Sequence, residues 1–367
     1  MWWEIVFPSL LPFFIIAEVL ISFGVVRFVG ILLEPFMRPL FNVSGSGAFA
    51  WAMGMVSGFP AGAKITARLY EDKQITKIEA ERLTSFTNNS NPLFIYGAVS
   101  VGFFANAKLG LLLAVSHYLG NLVVGLMMRF YKSNETKNIK RKKEEGNIIK
   151  VAFKELHQTR MNENRPIGKI LGDAVSNSIR TLLIIGGFII LFSVLNRILI
   201  AVGITNILAS ALIILFNILS LPEQLTLPLI AGMFEITQGS SLTSQVGNVS
   251  LLHQTMIVSF ILAFSGFSVQ AQVASILAEA KLSFKPFFIG RVLQASFAMF
   301  FCLLLFKPLY VDRIAETQTS ELPVSTLEPN SFWMNILNEL YISGPIITIT
   351  ALIIYCVLLG NNIRKQT

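Results

Sequence analysis

Long apolar runs, separated by short polar segments, are the dominant pattern along this chain. The unbroken runs lie at residues 5–33, 109–131, 181–202, 205–221, 286–308 and 333–359. A helix of about 20 apolar residues crosses the hydrocarbon core of a bilayer. The runs lack the alternation of apolar and polar residues that barrel strands show, so they predict membrane helices. We therefore expect an all-α polytopic membrane protein.

Other apolar segments are interrupted by glycine, proline and polar residues. They lie at 44–63, 83–104, 225–247 and 255–280. Non-helical backbone at membrane depth is tolerated only where protein or a water-filled cavity surrounds it. These segments therefore predict broken helices and re-entrant hairpins, and the first hairpin is expected near 44–68.

Two of the interrupted segments resemble each other, which indicates an internal repeat. Residues 57–64 match residues 265–272, which lie 208 positions later. The charge bias of the loops implies that the two halves cross the membrane in opposite directions. Inverted repeats that carry broken helices are typical of secondary transporters, and the alternative is a channel or an inert scaffold. We predict a first membrane repeat at 1–131 and a second at 170–308.

The segments between the apolar runs differ in charge. Residues 132–169 hold eleven Lys or Arg residues and five acidic ones, whereas residues 309–331 hold four acidic residues and one arginine. Basic loops stay in the cytoplasm, so the first segment is predicted inside, the acidic loop outside, and the helix at 333–359 returns the chain. The alternative for the basic loop is binding of anionic lipid or nucleic acid.

Composition narrows the function classes. Charged residues make up 14% and hydrophobic residues 53% of the 367 residues, and the mean hydropathy is +0.65. These values exclude a disordered chain and argue against a soluble enzyme. No metal-ligand spacing, phosphate-binding loop or nucleophile motif occurs, so we expect neither an enzyme nor a metal site. Transport would then draw on an ion gradient, a partner ATPase or the solute gradient.

Polar, glycine and charged residues at the interruptions are the candidate solute-binding residues. They are Ser57, Gly58, Pro60, Gly62, Lys64, Arg82, Asn88, Asn89, Asn91, Glu235, Thr237, Gln238, Ser240, Ser265, Gly266, Gln270 and Arg291. Glycine permits unusual dihedral angles and proline lacks an N–H, so a hairpin tip can present backbone groups to a ligand. Asparagine amides both donate and accept, which suits a polar solute. The alternatives are helix packing through the glycines and an interfacial loop at the asparagines.

Charged residues inside these segments suggest the chemistry of the solute. Glu235 ends an apolar run, so it is an intramembrane carboxylate that can couple transport to H⁺ or Na⁺. Its alternative role is an ion pair with Arg82, Arg180 or Arg291. Because Arg82 and Arg291 lie at nearly equivalent repeat positions, two guanidinium groups brought together would suit a dianion. The alternative for both arginines is snorkelling to the interface.

The strongest resemblance lies in the first half. Residues 57–64, followed by Glu81-Arg82-Leu83 and by residues 86–94, resemble the YlbJ (SpoVV) family of sporulation integral membrane proteins. That family carries a nucleoside-recognition (Gate) domain, and the second repeat is Gate-like as well. Ser90 departs from the family pattern, which has Pro or Gly there. Gate domains are similar in fold to concentrative nucleoside transporters, which have inverted repeats with re-entrant hairpins and broken helices.

The resemblance implies a function and a place. It implies a multi-pass membrane transporter that moves dipicolinate, a small aromatic dicarboxylate, out of the mother cell across the outer forespore membrane. The alternatives are a transporter of nucleosides or another small solute, and a non-transporting scaffold needed for spore-envelope formation. We expect the lipid bilayer, a small anionic solute and further copies of the chain as partners, and no nucleic acid. No cofactor is expected beyond a coupling ion, H⁺ or Na⁺.

Overall fold

A computed structural model describes residues 7–133 and 148–313, together with Thr350. The chain divides into two units, Met1–Val311 and Asp312–Thr367. The first unit contains the helices described below. Residues 134–147 of the predicted basic loop, the predicted acidic loop beyond residue 313, and the predicted helix at 333–359 apart from Thr350 lie outside the described residues.

The described part of the chain consists of helices and connecting turns and contains no strand. The α-helices are α1 Phe7–Ser22, α2 Val25–Phe41, α3 Ser46–Ser57, α4 Ala61–Glu71, α5 Lys77–Thr87, α6 Leu109–Met128, α7 Ile148–Asn162, α8 Ile167–Ala201, α9 Ile204–Ile218, α10 Thr226–Phe234, α11 Ile236–Gln245, α12 Leu251–Phe264, α13 Gly266–Glu279 and α14 Phe284–Phe306. A π-helix at Phe94–Phe103 follows α5, and another at Lys307–Val311 continues α14.

The length and apolarity of these helices confirm the predicted all-α polytopic membrane fold. Within the described residues, Leu109–Met128, Ile167–Ala201, Leu251–Glu279 and Phe284–Val311 are each long and apolar enough to cross a bilayer. Helix α6 packs against α14, and α14 also packs against α12, so these helices form the centre of the unit.

The first apolar run is not one straight span. The sequence predicted a continuous helix over 5–33, but the chain bends by 84° between residues 14–22 and 25–41. Gly24 lies at the bend with φ of +80°, a conformation that glycine adopts at little cost. Hydropathy indicates that this run is apolar, but it does not indicate where the helix changes direction.

The two halves repeat one succession of elements. In each half two consecutive helices joined at a left-handed glycine, Gly24 or Gly203, are followed by a helix–break–helix, a broken helix and an unbroken helix. The first half contains α3–α4, α5 with its π-helix, and α6; the second contains α10–α11, α12–α13 and α14. The sequence match at 208 positions is therefore in the wrong register. It aligned the α3–α4 break with the α12–α13 break, whereas the succession pairs α3–α4 with α10–α11.

Candidate functional site at the hairpin tips and helix breaks

The hairpin α3–α4 packs directly on the end of α5. A Cβ atom at Gly54 would lie 1.9 Å from the carbonyl oxygen of Thr87, and one at Gly62 would lie 2.0 Å from the same oxygen. No side chain fits at such distances, so glycine at both positions lets the hairpin close on the helix end. For Gly62, predicted as a solute contact, the structure favours the packing alternative.

Two asparagines of the α5 break hold the tip of this hairpin. The Ala63 N–H donates to Asn88 Oδ1 (3.0 Å), and Asn91 Nδ2 donates to the Ser57 carbonyl (3.2 Å). Asn91 Oδ1 also accepts from the Phe94 N–H (2.7 Å), at the start of the π-helix. Both amides therefore connect the break to the hairpin, a positioning role in place of the predicted direct contact with solute. Asn88 supplies one of the acceptors that the first N–H groups of α4 lack.

Helices α6 and α14 clamp the same break. Arg291 donates through its Nη atoms to the carbonyls of Ser85 and Asn88, and its side chain is fully buried. A cation at the carbonyl end of α5 is favoured by the helix dipole. The Ser90 N–H donates to His117 Nε2 (3.2 Å), and Gln294 Nε2 donates to the Asn89 side chain (3.2 Å).

Arg82 is used elsewhere. Its Nη1 donates to the Asn42 carbonyl (2.6 Å), and its Nε and Nη2 donate to the Tyr131 carbonyl (2.9 and 2.5 Å). Asn42 follows α2 and Tyr131 follows α6, so Arg82 joins two helix ends. The structure thus gives Arg82 and Arg291 different sets of carbonyls. We therefore remove Arg82 from the candidate solute contacts, and the paired-arginine hypothesis loses its geometric basis.

Lys64 connects the hairpin to α1 and α8. Its Nζ donates to Thr181 Oγ1 (2.5 Å) and lies 3.6 Å from Glu18 Oε1. The ammonium also lies 5.2 Å from the centre of the Phe14 ring, within the range of a cation–π contact. The side chain predicted to bind solute therefore already has an anionic, a polar and an aromatic partner.

The break in the second half is centred on Glu235, between α10 and α11. The Gln238 N–H donates to Glu235 Oε2 (2.8 Å), and the Thr237 hydroxyl donates to the same oxygen. A carboxylate is well placed at a helix start, where it caps free N–H groups and meets the positive end of the dipole. Asn196 of α8 donates to Gln238 Oε1 (2.6 Å). No arginine among the described residues pairs with Glu235, so the predicted ion-pair alternative is not observed there.

The α12–α13 break lies against this second hairpin. A Cβ at Gly266 would lie 3.2 Å from the Gly232 carbonyl oxygen and 3.3 Å from that of Phe234. The rings of Phe234 and Phe267 are 5.5 Å apart. Gln270 Nε2 donates to the Phe264 carbonyl (3.0 Å) across the break, so its amide holds the backbone at this point.

Several buried polar atoms at or near these four breaks have no hydrogen-bond partner, as do others elsewhere, for example Ser116 Oγ and Asn121 Oδ1. Within the described residues those at or near the breaks include the hydroxyls of Ser57, Ser90, Ser240, Ser265 and Ser268, and His117 Nδ1, Gln272 Nε2, Arg291 Nε and Gln294 Oε1. Each such atom costs about 1–3 kcal/mol when it stays unpaired, so proteins keep few of them. The unpaired atoms at the breaks leave hydrogen-bond donors and acceptors for a polar ligand or water there.

Sequence reasoning missed several members of this site. Ser90, His117, Asn196, Ser268, Gln272 and Gln294 were not among the candidates. Their signal was available: His117, Asn196 and Gln294 are polar residues within long apolar helices, where such residues usually face protein or a cavity. Pro60, predicted as a solute contact, lies just before α4, and its peptide bond with Phe59 is cis.

Comparison with known proteins gives a consistent family assignment. A family model described as Gate, nucleoside recognition, matches residues 3–107, which belong to the first half. The sporulation integral membrane protein YlbJ of Bacillus subtilis (strain 168) is 55% identical over 368 residues, covering 100% of this chain and 90% of that protein. The Gate-like character predicted for the second half stays a prediction.

Solved structures of CNTnw resemble the chain more distantly. The inward-facing, substrate-bound state has a TM-score of 0.42 at 14% identity and covers 83% of this chain and 75% of that one. An outward-facing variant has a TM-score of 0.39 at 14% identity, with coverages of 82% and 76%.

Proposed function

Because this chain belongs to the family of the sporulation integral membrane protein YlbJ, we propose that it is a carrier that moves dipicolinate out of the mother cell across the outer forespore membrane. It is a sporulation integral membrane protein with a Gate domain. The resemblance suggests the solute and the membrane. The observation that carries the proposal is the set of buried, donor-rich polar atoms at the hairpin tips and helix breaks.

The unpaired atoms at the α5 break are mainly donors. Because His117 Nε2 accepts from the Ser90 N–H, the neutral ring carries its proton on Nδ1, which is buried without a partner. Arg291 Nε–H is a second unpaired donor, and the Ser90 hydroxyl can supply a third. Dipicolinate as a dianion offers four carboxylate oxygens and a ring nitrogen, all of them acceptors. A solute that only accepts hydrogen bonds is therefore the complement of this cluster.

The charge of the cluster points the same way. Arg291 is fully buried and forms no ion pair with a described acidic residue. Main-chain carbonyls stabilise it only in part, since a buried charge is costly without a counter-charge. An anionic solute would provide that counter-charge, and the guanidinium keeps its charge at any physiological pH.

Glu235 is the residue that we propose for ion coupling. Glu235 is 7% exposed, and it accepts hydrogen bonds from Thr237 and Gln238. No positively charged side chain among the described residues forms an ion pair with it. A buried carboxylate of this kind can take up H⁺ or bind Na⁺ as the solute binds. Without a nucleotide-binding motif in the sequence, an ion gradient is the natural source of energy.

A nucleoside carrier is the second candidate. The matching family model is described as nucleoside recognition. The site also contains the acceptor Gln294 Oε1 and the Asn89 amide, which could meet the hydroxyl groups and the base of a nucleoside. This candidate places less weight on Arg291, because a nucleoside carries no charge for it to balance.

Uptake into liposomes tests the proposal. Purified protein is reconstituted, and uptake of labelled dipicolinate and labelled uridine is measured without a gradient, with a proton gradient and with a sodium gradient. We expect saturable uptake of dipicolinate that one of the gradients accelerates at least tenfold, and uridine uptake at the level of empty liposomes. Uridine uptake alone would contradict the proposal and favour the nucleoside candidate. Uptake of neither solute by protein that is folded and inserted would contradict both.

A further inference from the structure

We propose that the outward side of α7 is a binding surface for anionic phospholipid headgroups, independently of what the protein transports. This side combines basic and apolar side chains. Lys150, Lys154 and Arg160 are exposed, and so are Ile149 and Phe153, each at 56%. Helices that lie in the membrane interface have this composition, because the apolar groups enter the acyl boundary while the cations meet headgroups.

The opposite side of α7 is fixed to the membrane unit. Ala152 is fully buried where α7 packs against α2, and at the edge of this contact the half-exposed Phe153 ring lies 4.9 Å from the ring of Phe28. Glu155, the one acidic residue of α7, pairs with Arg27 of α2 at 3.2 Å. The acid therefore faces inward, and the outward side keeps only positive charge.

Helix α7 packs against α2 and reaches the bend between α1 and α2. Thr159 lies against Gly24, where a Cβ atom would be 2.6 Å from the threonine Cβ. At Gly24 the apolar helix α1 has ended, and the chain turns by 84° into α2. This corner borders a polar cavity lined by charged side chains, among them Arg27 and Arg68, as expected where the hydrocarbon core meets the headgroups. Helix α7 also belongs to the basic segment that the positive-inside rule places in the cytoplasm, where the leaflet carries anionic lipid.

The arginines of a neighbouring cavity differ from the basic residues on the outward side of α7, because they are paired with acidic residues. A polar cavity of about 500 Å³ next to α7 is lined by arginines that already have acidic partners. Arg27 pairs with Glu155, Arg68 with Asp72 (3.2 Å) and Arg165 with Glu163 (2.7 Å). The Arg165 guanidinium lowers the pKa of Glu163 to about 2, which keeps that carboxylate charged. These three arginines are therefore less available to bind an anion. Lys150, Lys154 and Arg160 form no ion pair within the described residues.

Lipid titration tests this proposal. Purified full-length protein is titrated in detergent with phosphatidylglycerol or with phosphatidylcholine of the same acyl chains, and bound lipids are counted by native mass spectrometry. Each basic residue near anionic lipid contributes about a fivefold gain in affinity. We therefore expect the wild type to prefer phosphatidylglycerol at least tenfold at low salt, and to lose most of this preference in 0.5 M NaCl.

Two double variants separate this surface from general charge. Lys150→Glu with Lys154→Glu should abolish the preference, and Ile149 and Phe153 remain to support folding. Lys108→Glu with Lys307→Glu changes the charge equally at exposed positions outside α7 and should keep the preference. Gel filtration and the thermal midpoint show that both variants are folded. Equal binding of the two lipids by the wild type would overturn the proposal and would leave a soluble protein as the alternative partner of this surface. An undiminished preference for phosphatidylglycerol in the first variant would also overturn it.

Discussion

Gly62→Ala should lower the thermal midpoint of the purified protein by about 3 °C or more. The new Cβ would lie 2.0 Å from the Thr87 carbonyl oxygen, a backbone atom that cannot rotate away. Hairpin α3–α4 would then have to move off the end of α5. Overpacking of a buried contact costs about 1–3 kcal/mol or more, and each kcal/mol corresponds to about 1–2 °C in a chain of 367 residues. The same displacement would separate Asn88 from Ala63, so solute transport should fall with stability.

Gly187→Ala is the matched control for this substitution. Gly187 lies within α8, and a Cβ there meets no atom within 4 Å. Alanine favours a helix over glycine by about 1 kcal/mol, so the midpoint should stay unchanged or rise slightly. The measurement is a thermal unfolding curve in detergent with a thiol-independent dye or by light scattering. An equal midpoint for both variants would show that the hairpin does not close on Thr87 as described.

Arg291→Gln should abolish dipicolinate uptake, with an expected loss of at least a hundredfold in kcat/KM. The substitution removes the buried positive charge and leaves the Ser85 and Asn88 carbonyls with a weaker donor. Truncation of one partner in a buried charge pair costs about 2–5 kcal/mol in binding. The variant should also unfold at a lower temperature, because hydrogen bonds from a charged donor contribute about 1.5–3 kcal/mol each.

Arg82→Gln separates the loss of function from the loss of stability. Arg82 also binds main-chain carbonyls, the part-buried ones of Asn42 and Tyr131, so its removal should lower the thermal midpoint by a similar amount. It should leave the KM for dipicolinate near the wild-type value, since we place it outside the solute site. Arg291→Lys, which keeps the charge, should recover part of the uptake. Uptake by Arg291→Gln that matches uptake by Arg82→Gln would remove Arg291 from the site.

Much of the fold could be predicted from hydropathy. Which element of the first half corresponds to which element of the second half could not. Apolar length and the positions of glycine, proline and polar residues located the spans and most of the breaks, because lipid excludes unpaired backbone groups. The sequence match at an offset of 208 positions was misleading because it paired segments that have similar helix ends. Lys73 and Lys281 share that spacing, and both adopt left-handed conformations at helix ends, with φ of +55° and +56°. Similar helix ends occur in elements that are not equivalent.

The sequence predicted where the candidate site lies better than it predicted what each side chain of the site contacts. The polar residues near 88–91 and 235–241 do lie at helix breaks, because helix-breaking groups must be satisfied by protein or ligand. Which atom each side chain contacts depends on distant helices: α14 supplies Arg291 and Gln294 to the α5 break, and α6 supplies His117. The sequence of a single chain contains no record of these long-range contacts. Asn88 and Asn91 accordingly hold the hairpin, where a direct contact with solute had been expected.

Direct binding to the purified wild-type protein tests the central claim, that the breaks form a site for a small dianion. Isothermal titration calorimetry in detergent compares dipicolinate, pyridine-2-carboxylate and uridine, each with and without Na⁺ and at two pH values, because a coupled ion changes the affinity for the solute. Binding measured in this way does not depend on the direction of transport. If Arg291 and the unpaired donors near His117 form the site, dipicolinate should bind at least tenfold more tightly than the monocarboxylate, and uridine should bind weakly or not at all. Tighter binding of uridine, or equal binding of the mono- and dicarboxylate, would contradict the claim.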